Sequence, residues 1–331
     1  MSSITSLACD GIKSMDQNQW LELAASAYKD AGFAAKTIEI ITTWEQKFTD
    51  VELFRNNAVF RINGEHILKL FGTESQRHFN IERAALQTLT PAFPAPRLVA
   101  SGTLGDQPYI IMTEIPGKTL QDTWAELSSA ELKTVASEIG TQTALLHQQP
   151  HDRLADVESQ FGGREQVITL EATHRALEIR ANERFSTHHK DELLDFLHGK
   201  GKTFLDVPPV FTHADLSHAH IYIVQSENEP AVSGWIDWGE AMLGPPEWDI
   251  AFHWFWTFSQ HSDTMRACLD TYYQDMPRPD QLARHCFATH LYTFSMNEVW
   301  DYFDAPVADS ESIVRAMVAH LFPKHVFGPP D

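Results

Sequence analysis

Cysteine is scarce in this chain. Cys9, Cys268 and Cys286 are the three present in 331 residues, far apart and odd in number. No disulfide framework and no C-x-x-C metal or redox motif follows, and a reducing, cytoplasmic setting is expected. Positive charge is also in short supply: 25 Lys and Arg stand against 45 Asp and Glu, a formal net charge of −20. A nucleic-acid binder would show a basic face, so that class is excluded. The surplus of acid serves solubility and attracts cationic ligands. No apolar run approaches the ~18 residues that argue for a membrane span. The opening MSSITSLACDGIKSM lacks a basic stretch followed by an apolar core, so no signal peptide is expected. Internal repeats and low-complexity tracts are absent.

What is present builds a core. Hydrophobic residues make up 43% of the chain, enough for one large or two medium domains. Trp20, Leu21, Leu23 and Ala24 fall at helical spacing and predict a helix over 15–31. In AVFRINGEHILKLF, residues 58–71, two apolar runs flank Asn63-Gly64, a pair suited to a hairpin turn that needs positive φ. A helix is predicted over 75–90, ended by Pro91, Pro94 and Pro96. RLVASG and PYIIMTEI read as two further strands.

Beyond Gly117 the pattern turns helical, with helices predicted at 119–127, 129–148, 166–184, 246–259, 261–274, 279–303 and 309–322. The exception is 210–238, where VFTH, IYIV and SGWID read as short strands. The expected organisation is a β-rich lobe over 1–114 and a larger helical lobe over 115–331 that carries this strand–loop–strand island.

The chemistry concentrates in FTHADLSHAHIYIV, residues 211–224, and in VSGWIDWGEA just beyond it. Asp215 and Asp237 sit at the ends of short strands, and a hairpin between them would bring the two carboxylates together. That geometry suits phosphoryl transfer: one carboxylate takes or orients the proton of an attacking hydroxyl, and the other holds a metal on nucleotide phosphates. A zinc reading of His213, Asp215, His218 and His220 competes. In an extended segment, however, His218 and His220 face opposite to His213, and no H-E-x-x-H or cysteine pair accompanies them.

The chain resembles the aminoglycoside phosphotransferase family, whose catalytic loop reads H-x-D-x-x-x-x-N and whose metal aspartate follows in an I-D-W/F context. His213, Asp215 and Asp237 match, as do PEWDIAFHWFW with Asp249, ALLH at 144–147, and PYIIMTEIPGKTL. WIDWGEAMLG through FHWFW looks like the hygromycin-type enzymes. The loop asparagine is replaced by His220, as in the similar macrolide phosphotransferases; a neutral imidazole also ligates metal.

The resemblance implies an α+β, two-lobed protein-kinase-like fold with a small β-rich N-lobe that binds nucleotide and a larger helical C-lobe that holds the catalytic and acceptor sites. It implies an ATP- or GTP-dependent small-molecule kinase with Mg²⁺ as cofactor and Mn²⁺ tolerated. Asp215 is then the base or orienter of the acceptor hydroxyl, and His213 props the loop. Asp237 and His220 hold the metal, and Asp249 anchors the loop backbone. Lys69, fixed by Glu82 in preference to Glu74, reaches the phosphates; an exposed strand lysine in a solvated pair would look the same locally. Adenine would bond the backbone of Met112, Thr113, Glu114 and Ile115, between Ile67 and Ile236. Glu240 and Trp238 are candidates for the acceptor side.

One part of the pattern is missing. TTWEQKFTDVELFRNNAVF holds no glycine, so Asn56 or Asn57 and backbone amides are expected to cover the phosphates. The expected acceptor is hygromycin or another aminoglycoside, which would make the protein an antibiotic-resistance enzyme. Macrolides and sugar or amino-alcohol metabolites are alternatives, as is a nucleotide-binding pseudoenzyme with a regulatory role. The expected partners are the nucleotide and the acceptor alone, with no nucleic acid or membrane, in a monomer or homodimer.

Overall fold

The computed structural model describes residues 16–42, 57–72, 75–161, 163–199, 207–225, 229–293, 299, 302–303 and 306–328. The chain divides into two compact units, Met1–Leu86 with Pro96–Glu114, and Gln87–Ala95 with Ile115–Asp331.

In the first unit, helix α1 (Gln17–Asp30) starts where Asp16 and Gln19 form a reciprocal cap, each side chain accepting the other's backbone N–H. The antiparallel sheet runs in the order β1 (Ile38–Thr42), β2 (Asn57–Ile62), β3 (His66–Phe71), β5 (Gln107–Thr113), β4 (Leu98–Leu104). The β2–β3 hairpin turns at Asn63 and Gly64, with φ 57° and 68°, and is closed by the Glu65 N–H on the Ile62 carbonyl. Both central residues need positive φ, which asparagine and glycine tolerate best.

Alternation along β2 and β3 sends Ala58, Phe60, Ile62, Leu68 and Leu70 into a core with Trp20, Ala24, Ala27 and Tyr28 of α1. Lys69 falls on the other face of β3, together with Phe71. There it meets helix α2 (Gln76–Thr88), whose Phe79 packs edge-on against Phe71.

The second unit is mostly helical. Helix α4 (Ser129–Leu146) opens on a Ser128–Glu131 capping box and packs along α9 (Ser262–Tyr272). The two helices approach so closely that a Cβ on Gly140 would collide with the Cys268 carbonyl. A three-stranded sheet joins β6 (Lys118–Thr119), β8 (Ile221–Gln225) and β9 (Pro230–Trp235). Gly117, at φ 108°, lets β6 lie on β8 where any side chain would strike the Ile223 carbonyl. Strands β7 (Val210–Thr212) and β10 (Met242–Gly244) form a separate pair.

Several helices differ from expectation. The segment 119–127 is a single turn, α3 (Leu120–Thr123), tightened into a 3₁₀ turn over Trp124–Glu126. The segment 246–259 is α8 (Glu247–Phe252), which widens into a π-turn over His253–Thr257. The predicted 279–303 contains α10 (Leu282–Thr293), and much of its remainder lies outside the described residues.

Helices α5 (Asp152–Ser159) and α7 (Thr187–His198) and strand β10 were not expected. The first is short and buries only Leu154, so it has little periodicity to read. Ser186, which caps α7, with Leu193, Phe196 and Leu197 on one face, is the signal that marks the second. Helices α6 (Gly163–Ala181), α11 (Ile313–Leu321) and α12 (Lys324–Phe327) complete the unit. Among the described residues, no helix is long and apolar enough to cross a membrane. Cys268 and Cys286 are free thiols in the core.

Candidate active site

The loop between β7 and β8 carries His213, Asp215, His218 and His220, and its shape is imposed by Asp249 of α8. That carboxylate is fully buried and accepts the N–H groups of His213 (3.1 Å) and Ala214 (2.9 Å) as well as His147 Nε2 (3.1 Å). Burial alone would push the Asp249 carboxyl up; the His147 hydrogen bond and charge and the Ala214 amide outweigh it and hold the group below its ordinary value. The grip lets Ala214 keep φ 64°, a conformation that alanine otherwise avoids. His147, at the end of α4, is itself held through Nδ1 by the Tyr272 hydroxyl at 2.8 Å.

His213 is buried beneath Trp238, their ring centroids 4.5 Å apart. Desolvation by burial lowers its pKa to about 4, so it is neutral at pH 7. Its Nε2 lies 3.0 Å from the carbonyl of Ile236, which requires the proton on Nε2; the buried Nδ1 has no hydrogen-bond partner. The ring thus props the backbone immediately before Asp237. The Ile236 N–H in turn donates to the His220 carbonyl at 3.0 Å. Two hydrogen bonds therefore fix the strand end that carries Asp237 to the loop that carries Asp215.

His220 stands between the two carboxylates. Its Nδ1 is 2.7 Å from the backbone carbonyl of Asp215 and 3.9 Å from Asp215 Oδ2, and its Nε2 is 3.8 Å from Asp237 Oδ2. The carbonyl contact places the ring proton on Nδ1, which leaves a lone pair on Nε2 opposite the Asp237 carboxylate. Two lone-pair donors at that separation suit a cation between them. Asp237 adopts φ 66°, and both carboxylates are partly exposed, at 44% for Asp215 and 40% for Asp237.

Among the described residues, no group of three or more His, Cys, Asp or Glu gathers to hold a metal ion. Mg²⁺ needs fewer protein donors: one or two carboxylates suffice when phosphates and water complete its shell. A closed zinc site takes four. His218 is turned away from this array, with its backbone N–H and Nδ1 both on the Trp256 carbonyl, at 3.1 and 2.6 Å.

In the first unit, Lys69 Nζ lies 2.7 Å from Glu82 Oε2, and the two residues are 5% and 1% exposed. The solvated-pair alternative is thereby removed. Glu74 and Asn56, with most of the glycine-free segment, lie outside the described residues; Asn57 begins β2. Met112 is buried in β5 and Ile67 half-buried in β3. The Thr113 N–H is engaged by the Arg97 carbonyl and the Glu114 N–H by the Glu65 carbonyl, while the Glu114 side chain pairs with Arg61. In the second unit Ile236 is half-buried, as is Glu240, which ends a 3₁₀ turn.

One expectation is corrected. Trp238 was a candidate for touching the acceptor, but its indole is fully buried and Nε1 donates to the Trp235 carbonyl at 3.1 Å. It packs against His213, Phe93 and Phe211 and so supports the loop. An aromatic residue beside Asp237 reads the same from sequence whether it points out or in.

Solved structures with the same fold include the GDP complex of wild-type aminoglycoside 2'-phosphotransferase-IIIa, at TM-score 0.62 and 16% identity, covering 86% of this chain and 91% of that one. The ADP-bound aminoglycoside phosphotransferase APH(2'')-Ib matches at TM-score 0.57 and 14% identity, over 95% and 100% of the two chains. The apoenzyme of macrolide 2'-phosphotransferase MphH from Brachybacterium faecium matches at 0.56 and 19%, over 94% and 99%. The fold is thus the α+β, protein-kinase-like one. No curated protein matches the sequence significantly. The model of the phosphotransferase enzyme family matches residues 51–283, and the chain belongs to that family: it is a phosphotransferase with an alcohol group as acceptor.

Proposed function

We propose that the protein phosphorylates a hydroxyl of an antibiotic, using ATP or GTP, with an aminoglycoside of the hygromycin type as the leading acceptor. The observation that carries the reading is the array of Asp215, His220 and Asp237, with a fixed imidazole between two accessible carboxylates. Asp215 orients the acceptor hydroxyl and takes its proton as the oxygen attacks the γ-phosphorus. The bond from that phosphorus to the β-bridging oxygen breaks, and the nucleoside diphosphate leaves. Asp237 and His220 would hold Mg²⁺, which would supply positive charge to neutralise the phosphates. Lys69, fixed by Glu82, binds the nucleotide phosphates. Asp249, through the His213 and Ala214 amides, keeps Asp215 in place.

The acceptor assignment is supported by the hygromycin-like WIDWGEAMLG run and by the acidic balance of the chain, which favours a cationic partner. His220 in place of the family's asparagine, with the likeness to a macrolide phosphotransferase, supports a macrolide as the second reading. Mass spectrometry of hygromycin, kanamycin and erythromycin incubated with enzyme, Mg²⁺ and either ATP or GTP tests the proposal. Gain of one phosphate on one of them is expected. Nucleotide binding without transfer to any hydroxylated acceptor would contradict it.

A further inference from the structure

A hollow on the catalytic loop has no part in the chemistry described above. In the second unit, Gln121 and Trp124, His218, Thr257 and Ser259 line an open hollow of about 200 Å³. Its walls are bonded to the loop that carries Asp215. The Gln121 N–H donates to the His218 carbonyl at 3.0 Å, and the Thr257 hydroxyl donates to the Leu216 carbonyl at 2.6 Å. His218 is tied by its N–H and Nδ1–H to the Trp256 carbonyl. The far wall is held in uncommon backbone: a π-turn over His253–Thr257, then Ser259 and Gln260 in succession at φ 46° and 61°. Such conformations persist only where the surroundings enforce them, and they gather at ligand sites. Trp124 is only half-buried, and its ring is fixed edge-to-face against His261, centroids 6.2 Å apart.

The lining selects a chemistry. With Nδ1–H on Trp256, His218 has Nε2 as its acceptor. Thr257 is buried at the base, its hydroxyl already engaged by the Leu216 carbonyl and by His253 Nδ1. Gln121 and Ser259 donate and accept, and Trp124 offers an indole surface. None of the five side chains is a carboxylate. An ammonium entering there would lose hydration without gaining a counter-ion. A neutral ring bearing hydroxyls would lay its C–H face on the indole and bond its hydroxyls to the polar groups. The volume is below the ~300–1,000 Å³ of pockets that enclose a whole ligand, so it suits one ring of a larger molecule.

We propose that this hollow is a subsite for one neutral, hydroxyl-bearing sugar ring of the acceptor; the proposal rests on the reading of the protein as a small-molecule kinase. Saturation-transfer NMR on the full chain, with methyl α-D-glucopyranoside and with protonated glucosamine as separate probes, tests it without turnover. The neutral glycoside should show transfer with wild type and with Trp124→Phe, lose it with Trp124→Ala, and exceed glucosamine in signal. Unchanged melting temperature and ATP affinity in Trp124→Ala would exclude misfolding as the cause.

Absence of transfer in wild type, or transfer that survives Trp124→Ala, overturns the subsite. With an acceptor identified by phosphate gain, Trp124→Ala should raise its KM about tenfold, the loss of ~1.4 kcal/mol of ring binding, with the effect falling on KM rather than kcat. An unchanged KM overturns the subsite and leaves the kinase reading standing. Glycoside binding by a protein that phosphorylates no acceptor sinks the kinase reading and leaves the ring site supported.

Discussion

Lys69 Nζ lies 2.7 Å from Glu82 Oε2, with both side chains almost wholly removed from solvent. A surface ion pair contributes little, because water screens it and side-chain entropy opposes it. A buried pair is different, since either charge alone would be left in a site removed from water.

Removing one partner should therefore cost more than removing both. Lys69→Met and Glu82→Leu are each expected to destabilise the chain by ~3–5 kcal/mol, and the double variant by much less. Denaturant unfolding of the three proteins measures this. Nucleotide affinity separates the roles: the double variant should fold and still bind ATP poorly, because the cation for the phosphates is gone. Tight ATP binding by the double variant would remove Lys69 from the site.

Asp237 sits at φ 66°, so alanine there would add backbone strain to the loss of charge. Asparagine tolerates that conformation and is the cleaner probe. Calorimetric titration of ATP with and without Mg²⁺ should show a metal-dependent gain in affinity in wild type. In Asp237→Asn the gain should shrink by at least the ~10–100-fold that losing even an outer-shell partner costs a metal site. Chelation by EDTA should bring the two proteins level. Equal Mg²⁺ dependence in both would take Asp237 out of the metal site.

His253 gives the chain an acid-sensitive core. It opens the π-turn and is buried against α4, where Nε2 meets the Thr143 hydroxyl at 2.8 Å and Nδ1 the Thr257 hydroxyl at 3.2 Å. Burial lowers its pKa from 6.5 to about 4. The Asp249 charge works against the shift. Between those two pKa values the unfolded chain binds a proton that the folded chain refuses. The stabilisation is complete above pH 6.5 and is lost as pH falls toward 4, by up to ~3 kcal/mol. Unfolding free energies at pH 7 and pH 4.5 should differ by less in His253→Gln than in wild type. An identical slope in the two proteins would mean that the imidazole titrates normally.

Much of the fold is legible because certain residues admit few conformations. Asn63-Gly64 announces its turn, since those two residues bear positive φ more easily than others. The two-residue period of a strand puts Lys69 on the face opposite Leu68 and Leu70, and so on the side where Glu82 lies. H-A-D and I-D-W mark the loop and the strand end, and the hairpin between them follows from its turn-rich connection.

Tertiary context decides what could not be read. Ala214 takes positive φ only because two amides are held by Asp249, whose place depends on a helix 35 residues further on. HWFWT shows no mark of a π-turn in its composition, yet that turn presents the Trp256 carbonyl to His218 and the Thr257 hydroxyl to Leu216. Trp238 could not be sorted into core or surface by residue type, because large aromatics serve both. Gln121 and Trp124 looked like ordinary helix positions, and the hollow they line with His218 joins segments remote in sequence.

Single-turnover phosphate transfer from ATP to an identified acceptor, compared in wild type and Asp215→Asn, tests the central assignment most directly. The substitution keeps the shape of the loop and removes the proton acceptor. Transfer should slow by ~10²–10⁴-fold while the Kd for ATP with Mg²⁺ stays the same. Transfer by Asp215→Asn at the wild-type rate would contradict the account.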